Sequence, residues 1–507
     1  MTDGLELGGI YSETLSRIKG QGGEKSRLGI TALMWISHSE RPLKVDELCH
    51  ALGVEIGSAD LDSNNVPSIG TVLRCCQGLV SVDGGASTVR LIHLTFQEYL
   101  RAHPELFDRA HSTMAETCLS YLNSRQVKDL SDSPSPDLRG TPFLEYGSLY
   151  WGVHAKRDLS DCAKQLALKL FDDYSSHVST EILLRGEKPD YFETFSEELS
   201  MFSPLHCASF FGIVEIVTLL VEAGGCDINQ IDYIGSTPLV WAALNGHEGV
   251  VRILIAQPSI NPDKPNQSGE TPLWCAAKNG HEGAVKILLG RHDIKPNRAG
   301  GFSETPLWCA AKEGHEGVVE MLLGRDDTNP DKPDKDGRTP LCCAAEAGHE
   351  GVVKILLGRD EVNPDKPDKY GATPLWYAAS AGHEELVRIL LGQDGVNPNN
   401  PDSSGKTPLQ CATQNGHKGV MKILLGQDDV APDKPDNDGE TLILSADADD
   451  GCEGAAKIQP ERDGVHLDKP GSDRRNPLRR AIQRVKTRIR ALLQRSASAT
   501  PDAAPVT

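Results

Sequence analysis

The chain has 507 residues, enough for two or three domains, and a net charge of −20. Only 5% of it is aromatic, a low load for one large enzyme core and one that suits small helices packed through Leu, Val, Ile and Ala. The charge argues against nucleic acid or anionic lipid as a partner of the chain as a whole. No apolar run reaches the roughly 18 residues of a membrane span. The start, MTDGLELGGIYSE, lacks the basic and apolar regions of a secretory leader. The 13 cysteines are an odd number, and neighbours such as Cys75-Cys76 and Cys342-Cys343 fall within helical patterns. Reduced thiols in the cytoplasm or nucleus are the simplest expectation.

The first 200 residues do not repeat, and 1–25 is taken as an N-terminal segment. KSRLGITALMWISHSERPLKVDELCHALGVE reads as a helix, an extended link at Arg41–Lys44 and a second helix. SIGTVLRCCQGL gives a third. A hairpin should follow, with Leu79–Val82 against Val89–Leu94 and a turn at Asp83-Gly84-Gly85. TFQEYL starts another helix. Three helices and a hairpin over 26–105 make a winged-helix pattern, and 106–200 reads as a helical bridge. GQGGEKS at 20–26 imitates a phosphate loop. It has Glu24 before Lys25 and Lys19 five residues earlier, where that loop needs glycines, and no strand precedes it.

From Ser203 onward the chain repeats. Thr237, Thr271, Thr305, Thr339, Thr373 and Thr407 each open a TPL motif and lie 34 residues apart. Stepping by the same interval reaches Ser203 on one side and Thr441 on the other. Seven full units and a degenerate eighth therefore occupy 201–458. In each, TP starts a short helix, with the hydroxyl as cap and proline at the first helical position. NG or EG stops it, HEGAVKILLG makes a second helix ended by Gly290, and NPDKPD forms a finger closed by a turn. One unit cannot bury its own apolar face, so the units must stack into a solenoid.

The recurring Cys-x5-His, at Cys275/His281, Cys309/His315, Cys343/His349 and Cys411/His417, invites a metal reading. Each pair supplies two ligands at best, and successive repeats lie roughly a helix-packing distance apart, about 10 Å. Trp241 and Tyr377 also take the cysteine's place. The histidines are expected instead to hydrogen-bond the backbone between repeats. HEGVV lacks the second histidine of a zinc protease, and the fingers lack EF-hand spacing. No nucleophile elbow or GxGxxG occurs. The expectation is a mostly α protein, not an enzyme, with no cofactor, no bound metal and no small-molecule substrate.

Helix, turn, helix and finger at this period resembles the ankyrin repeat, over about 203–445. Family members usually carry histidine as the fourth residue of TPLH. Here that place holds His206, Val240, Trp274, Trp308, Cys342, Trp376 and Gln410. Tryptophan is expected to exchange the histidine's inter-repeat hydrogen bonds for packing area, with some indole edges open to a ligand. The finger RHDIKPNRAGGFSE is more basic and more flexible in composition than the others. The resemblance implies a protein partner, bound by the residue after each loop glycine and the two after each alanine pair. Those are Glu270, Glu304, Arg338, Ala372 and Lys406, then Lys278/Asn279, Lys312/Glu313, Glu346/Ala347, Ser380/Ala381 and Gln414/Asn415.

RPLKVDELCHAL…LIHLTFQEYL resembles the winged-helix region after the NACHT NTPase of fungal NACHT–ankyrin proteins, which are STAND-type, NOD-like receptors. TPFLEYGSLYWGVHAKR and DCAKQLALKLFDDY resemble the bridge before their ankyrin arrays. The family's NTPase would lie upstream of Met1. In some members a histidine matching His93 touches nucleotide; with no NTPase in this chain, His93 is expected to pack. DNA binding is disfavoured, because the third helix and hairpin offer only Arg74 and Arg90 as cations.

A linker at 459–472 leads to DRRNPLRRAIQRVKTRIRALLQR, 473–495, with nine Arg/Lys and one Asp. It reads as a basic amphipathic helix. It can contact an anionic membrane or an acidic partner, act in nuclear import, or fold back on the acidic body. Residues 496–507 read as disordered.

Overall fold

The computed structural model describes residues 3–131, 140–185, 201–431 and 437. The expected degenerate eighth repeat, linker, basic helix and tail lie outside these residues. The chain divides into two compact units, with the boundary after Ser200.

The first unit begins with a helix that the sequence reading left unassigned, α1 (Asp3–Gly20). Tyr11, Leu15 and Ile18 form its buried stripe, at helical spacing. Tyr11 lies 4.8 Å from the Phe96 ring, and its hydroxyl meets Thr95 Oγ1 at 2.7 Å. Gly20 to Gly23, the false phosphate loop, joins α1 to α2 (Gly23–His38), so Lys25 sits in the first turn of a helix. Then come α3 (Val45–Gly53), α4 (Ile69–Cys75), β1 (Val80–Asp83), β2 (Thr88–Leu91) and α5 (Leu94–Ala102). The hairpin pairs Val80 with Leu91 and Asp83 with Thr88. Its turn spans Gly84–Ser87, longer than expected, because Asp83 Oδ1 accepts from Gly85 N and Ala86 N and draws the chain outward. The 41–44 link is more than a connection. Lys44 forms an isolated antiparallel bridge with Thr88, and Val89 N donates to Leu43 O, which ties the link to the edge of the two-stranded wing.

His93 does not pack as expected. It is exposed and caps α5, its ring Nδ1 accepting from Thr95 N at 3.2 Å. The helices α6 (Ala110–Leu122), α7 (Arg125–Ser131), α8 (Leu144–Arg157), α9 (Asp161–Phe171) and α10 (Val178–Arg185) complete the unit. Trp35 of α2 stands edge-on to Phe143 and Tyr146, so bridge and winged helix share one core.

The second unit holds seven helix pairs among the described residues. They are α11 (Pro204–Phe211) with α12 (Val214–Glu222), α13 (Pro238–Leu244) with α14 (Glu248–Ile255), and α15 (Pro272–Lys278) with α16 (Glu282–Leu289). There follow α17 (Pro306–Glu313) with α18 (Glu316–Leu323), α19 (Pro340–Ala347) with α20 (Glu350–Leu357), α21 (Pro374–Ala381) with α22 (Glu384–Leu391), and α23 (Pro408–Gln414) with α24 (Lys418–Leu425). The odd-numbered helices pack in a row and the even-numbered in a second row behind them. Each inner helix starts on a serine or threonine whose hydroxyl accepts from the third helical amide, as Thr305 does from Trp308.

The outer helices end differently from expectation. Gly290 has φ −65°, a right-handed helical value, so its lack of a side chain does not create a left-handed stop. Arginines serve instead. Arg291 Nη1 donates to Ile255 O, Arg325 Nη1 to Leu289 O and Arg359 Nη2 to Leu323 O. Each satisfies an orphaned carbonyl at the end of the preceding outer helix and complements its dipole.

Candidate functional site

The motif NGHEG spans a junction between repeats. Gly280 adopts φ +71°, which ends α15, and the ring of His315 from the next repeat lies over it. A Cβ at Gly280 would stand 2.6 Å from His315 Nδ1. From that seat His315 Nε2 bonds Lys278 O at 3.2 Å. His247, His281, His349, His383 and His417 make the same bond to Phe210, Leu244, Lys312, Glu346 and Ser380. Every acceptor lies 37 residues back. Because a carbonyl only accepts, Nε2 carries the proton in all six.

The cysteines lie in a different environment. Cys275, Cys309 and Cys343 are buried among Val240, Trp274 and Trp308. Burial holds the Cys309 and Cys343 thiols well above their ordinary range, the opposite of a metal-binding thiolate. Among the described residues no group of three or more His, Cys, Asp or Glu converges as metal ligands do. Where Trp241 and Tyr377 replace cysteine, their polar ends reach the finger's aspartate. Trp241 Nε1 donates to Asp232 Oδ2 at 2.7 Å and Tyr377 OH to Asp368 Oδ2 at 2.8 Å.

The tryptophans in the family's histidine position depart from expectation. They keep an inter-repeat bond. Trp274 Nε1 donates to Glu304 O at 2.9 Å, Trp308 Nε1 to Arg338 O at 3.0 Å and Trp376 Nε1 to Lys406 O at 3.2 Å. His206 reaches the equivalent carbonyl, Ser236 O, at 3.1 Å. The indole and the imidazole each direct one ring nitrogen to the carbonyl 30 residues on, so one substitutes for the other. Trp274 and Trp308 are buried and offer no edge to a ligand; Trp376 is half-buried.

The expected partner-facing residues fall into three groups. Lys312, Glu313, Glu346, Ala347, Ala381, Gln414 and Asn415 are exposed, while Glu270, Lys278, Asn279, Arg338, Ser380 and Lys406 are half-buried. Glu304 at 7% and Ala372 at 4% exposure are buried, so these two do not face outward. Their peptide units are occupied in closing the finger turns, Glu304 O accepting from Gly300 N and Ala372 N donating to Asp368 Oδ1. Several of the remaining cations are held in place. Lys278 Nζ lies 4.6 Å from the centre of the Trp274 ring and Lys312 Nζ 5.1 Å from that of Trp308. Arg338 meets Asp334 at 3.2 Å and Glu346 at 3.6 Å. Finger tips add residues that the sequence reading missed. Tyr370 is 52% exposed, with Lys369 Nζ 5.1 Å from its ring, and Lys335 Nζ lies 3.9 Å over Phe302. Their signal was an aromatic in a finger otherwise made of polar residues.

The finger RHDIKPNRAGGFSE keeps the hydrogen bonds of its neighbours. Gly300 N donates to Glu304 O and Gly301 N to Ser268 O. Gly300 takes the place of the aspartate, and a Cβ there would be 3.3 Å from Trp274 Nε1. Ser303 takes the place of the loop glycine and adopts φ +62°.

In the winged helix, Arg90 pairs with Asp83 at 3.0 Å, and Arg74 is the sole cation of α4. That is a poor set of phosphate anchors.

Seven pairs of a capped inner helix and an outer helix, joined at six junctions by a left-handed glycine under the next repeat's histidine and by hydrogen-bonded fingers, define a solenoid scaffold for binding other proteins. The chain belongs to the ankyrin-repeat family: the family described as ankyrin repeats (3 copies) matches 174–266, 205–300, 245–331, 284–368, 307–402 and 360–438. Residues 17–114 match the winged helix domain of GPI inositol-deacylase. No curated protein matches the chain. Among the described residues no helix is long and apolar enough to cross a membrane.

Proposed function

We propose that this protein is a non-catalytic interaction scaffold whose inner-helix ends and finger tips bind a protein partner. One observation carries this reading. The scaffold positions repeat with near-identical bonds, whereas the exposed or half-buried pair after the alanines differs from repeat to repeat: Lys278-Asn279, Lys312-Glu313, Glu346-Ala347, Ser380-Ala381, Gln414-Asn415. Stacking needs uniformity and recognition needs difference. The interface is polar and mixed in charge, so binding is salt-sensitive. The partner-binding set is Glu270, Lys278, Asn279, Lys312, Glu313, Arg338, Glu346, Ala347, Ser380, Ala381, Lys406, Gln414 and Asn415.

A full chain carrying Lys278→Glu, Lys312→Glu and Lys406→Glu tests it. Proteins captured by the wild type at low salt should be lost roughly tenfold by the variant, with circular dichroism showing that the variant is still folded. Equal capture by both would sink the proposal.

The finer role we propose is that of the C-terminal sensing half of a fungal NOD-like receptor, working in the cytoplasm or nucleus. Support comes from the winged-helix match over 17–114 and the ankyrin array after it. Reading the transcript upstream of Met1 tests the companion reading of an NTP-driven switch: an in-frame Walker motif supports it and a stop codon removes it. The other alternative, a nucleic-acid regulator using the winged helix and the basic segment 473–495, fails if the chain shows no DNA affinity at low salt.

A further inference from the structure

The fingers carry a second ladder that the proposed binding role does not use. Asn229, Asp263, Asn297, Asp331, Asp365 and Asn399 recur at 34-residue steps. In all six, one side-chain oxygen accepts from the backbone amide 32 residues on. Asn229 accepts from Asn261 N at 2.7 Å, Asp263 from Lys295 N at 2.9 Å and Asn297 from Asn329 N at 2.8 Å. Asp331 accepts from Asn363 N at 3.0 Å, Asp365 from Asn397 N at 3.3 Å and Asn399 from Ala431 N at 2.8 Å.

The other branch of each side chain separates the two residue types. The asparagines donate from Nδ2 to the carbonyl 30 residues on: Asn229 to Ser259 O at 2.7 Å, Asn297 to Asp327 O and Asn399 to Asp429 O. The aspartates have an oxygen on that branch. Oδ1 of Asp263, Asp331 and Asp365 is buried and has no hydrogen-bond partner. The corresponding carbonyls belong to Asp293, Glu361 and Gly395. An ionised carboxylate cannot donate to a carbonyl, and a buried acceptor without a donor is costly. A protonated carboxyl can donate as the amide does.

We propose that Asp263, Asp331 and Asp365 are proton-binding sites of the folded array, each protonated carboxyl donating from Oδ1 to the carbonyl 30 residues on, so that mild acid tightens the finger ladder. Burial pushes all three carboxyls above the ordinary range, in the same direction. The surrounding charges are few. Lys295 and Arg298 face Asp263 and oppose protonation, while Asp293 favours it. Lys366 Nζ lies 3.8 Å from Asp331 Oδ2, on the branch that already has a partner. Asp365 meets the Asn400 amide, again through Oδ2. For an acid whose pKa is raised by folding, the stabilising contribution is complete below the unfolded pKa. It disappears as pH rises through the folded one.

The test is hydrogen exchange on the full chain, followed at the amides of Lys295, Asn363 and Asn397 at about pH 7 and about pH 4, which brackets the carboxyl range. Protection in the wild type should rise at the lower pH, after correction for intrinsic exchange. A chain with Asp263→Asn, Asp331→Asn and Asp365→Asn should be protected roughly fivefold more than wild type at the higher pH, and equally at both. Protection no better than wild type at the higher pH, or an unchanged pH response, overturns the proposal. If the triple variant does not fold, carboxyl 13C titration of the wild type decides. Three carboxyls titrating above the ordinary range of about 4 support the sites, and none doing so overturns them.

Discussion

The histidine seated on the preceding repeat's glycine predicts a coupling that can be measured. Gly280→Ala places a methyl in two conflicts. The first is local, because φ +71° strains any L side chain by about 1–2 kcal/mol. Ala lowers the entropy of the unfolded chain as well and returns roughly 0.5 kcal/mol. The second is between repeats. At 2.6 Å from Nδ1 the methyl pushes the His315 ring away from Lys278 O, losing a bond with a net value of about 1 kcal/mol. The total cost should be about 2 kcal/mol. In a His315→Ala background the second conflict no longer exists, and the same glycine change should cost about 1 kcal/mol. Native-state hydrogen exchange over residues 271–323 of the full chain reads both values locally, without assuming that all repeats unfold together. Equal costs in the two backgrounds would show that the ring does not rest on the glycine, and the account of the motif would fail.

Other outcomes follow from the same geometry. Ser303→Gly relieves a left-handed residue at a place where other fingers carry glycine, and should stabilise the array by about 0.5–1 kcal/mol in urea unfolding; a loss would mean that the serine side chain has a role in the finger. Trp308→Phe removes the donor to Arg338 O and some volume, at a cost of about 2–3 kcal/mol, and a cost below about 0.5 kcal/mol would refute the indole as a junction bond. The first unit should respond to acid in the opposite sense to the finger ladder. His38, His111 and His154 are held below the ordinary histidine range by burial, His111 at about 3. Such groups add stability above the unfolded pKa of about 6.5 that is lost as pH falls, by roughly 1.4 kcal/mol per pH unit for each. Thermal unfolding of the full chain followed by exchange in α6 and α8 should show this loss, and a flat response would show that the histidines charge without cost.

Much of the array was legible because its signals are local. Thr-Pro, the alanine pair, the glycine and the outer-helix pattern each act within one helix or turn, and the 34-residue step repeats them until chance is excluded. The histidine's role could be anticipated because a polar group repeated at every junction needs a partner at every junction. What escaped was of two kinds. Helix α1 was overlooked although Tyr11, Leu15 and Ile18 carry its spacing, because the glycines around them depress helix propensity. The bridge from Lys44 to Thr88 depends on where distant chain lies, which residue types alone do not specify. Glu304 and Ala372 misled for a related reason. Their counterparts Glu270, Arg338 and Lys406 are half-buried, whereas these two are drawn inward at the finger turn.

The tryptophans show what the repeats hold in common. At the fourth place of the motif, His206 and Trp274 look unrelated, yet both reach the carbonyl 30 residues on. His206 also meets Gln230 O, 24 residues on, and Cys342 directs its thiol to the matching Lys366 O at 3.8 Å. What these side chains share is thus a donor aimed at one of two inward carbonyls, a role that several residue types can fill and that Val240 leaves empty. The same logic explains the finger ladder, where an amide fits both branches of the slot and a carboxylate fits only one. A comparison of residue letters treats Trp for His as a radical change and Asp for Asn as a mild one. A count of donors and acceptors reverses that order: the indole preserves the junction, and the aspartate leaves a buried oxygen without a partner where the asparagine has a donor.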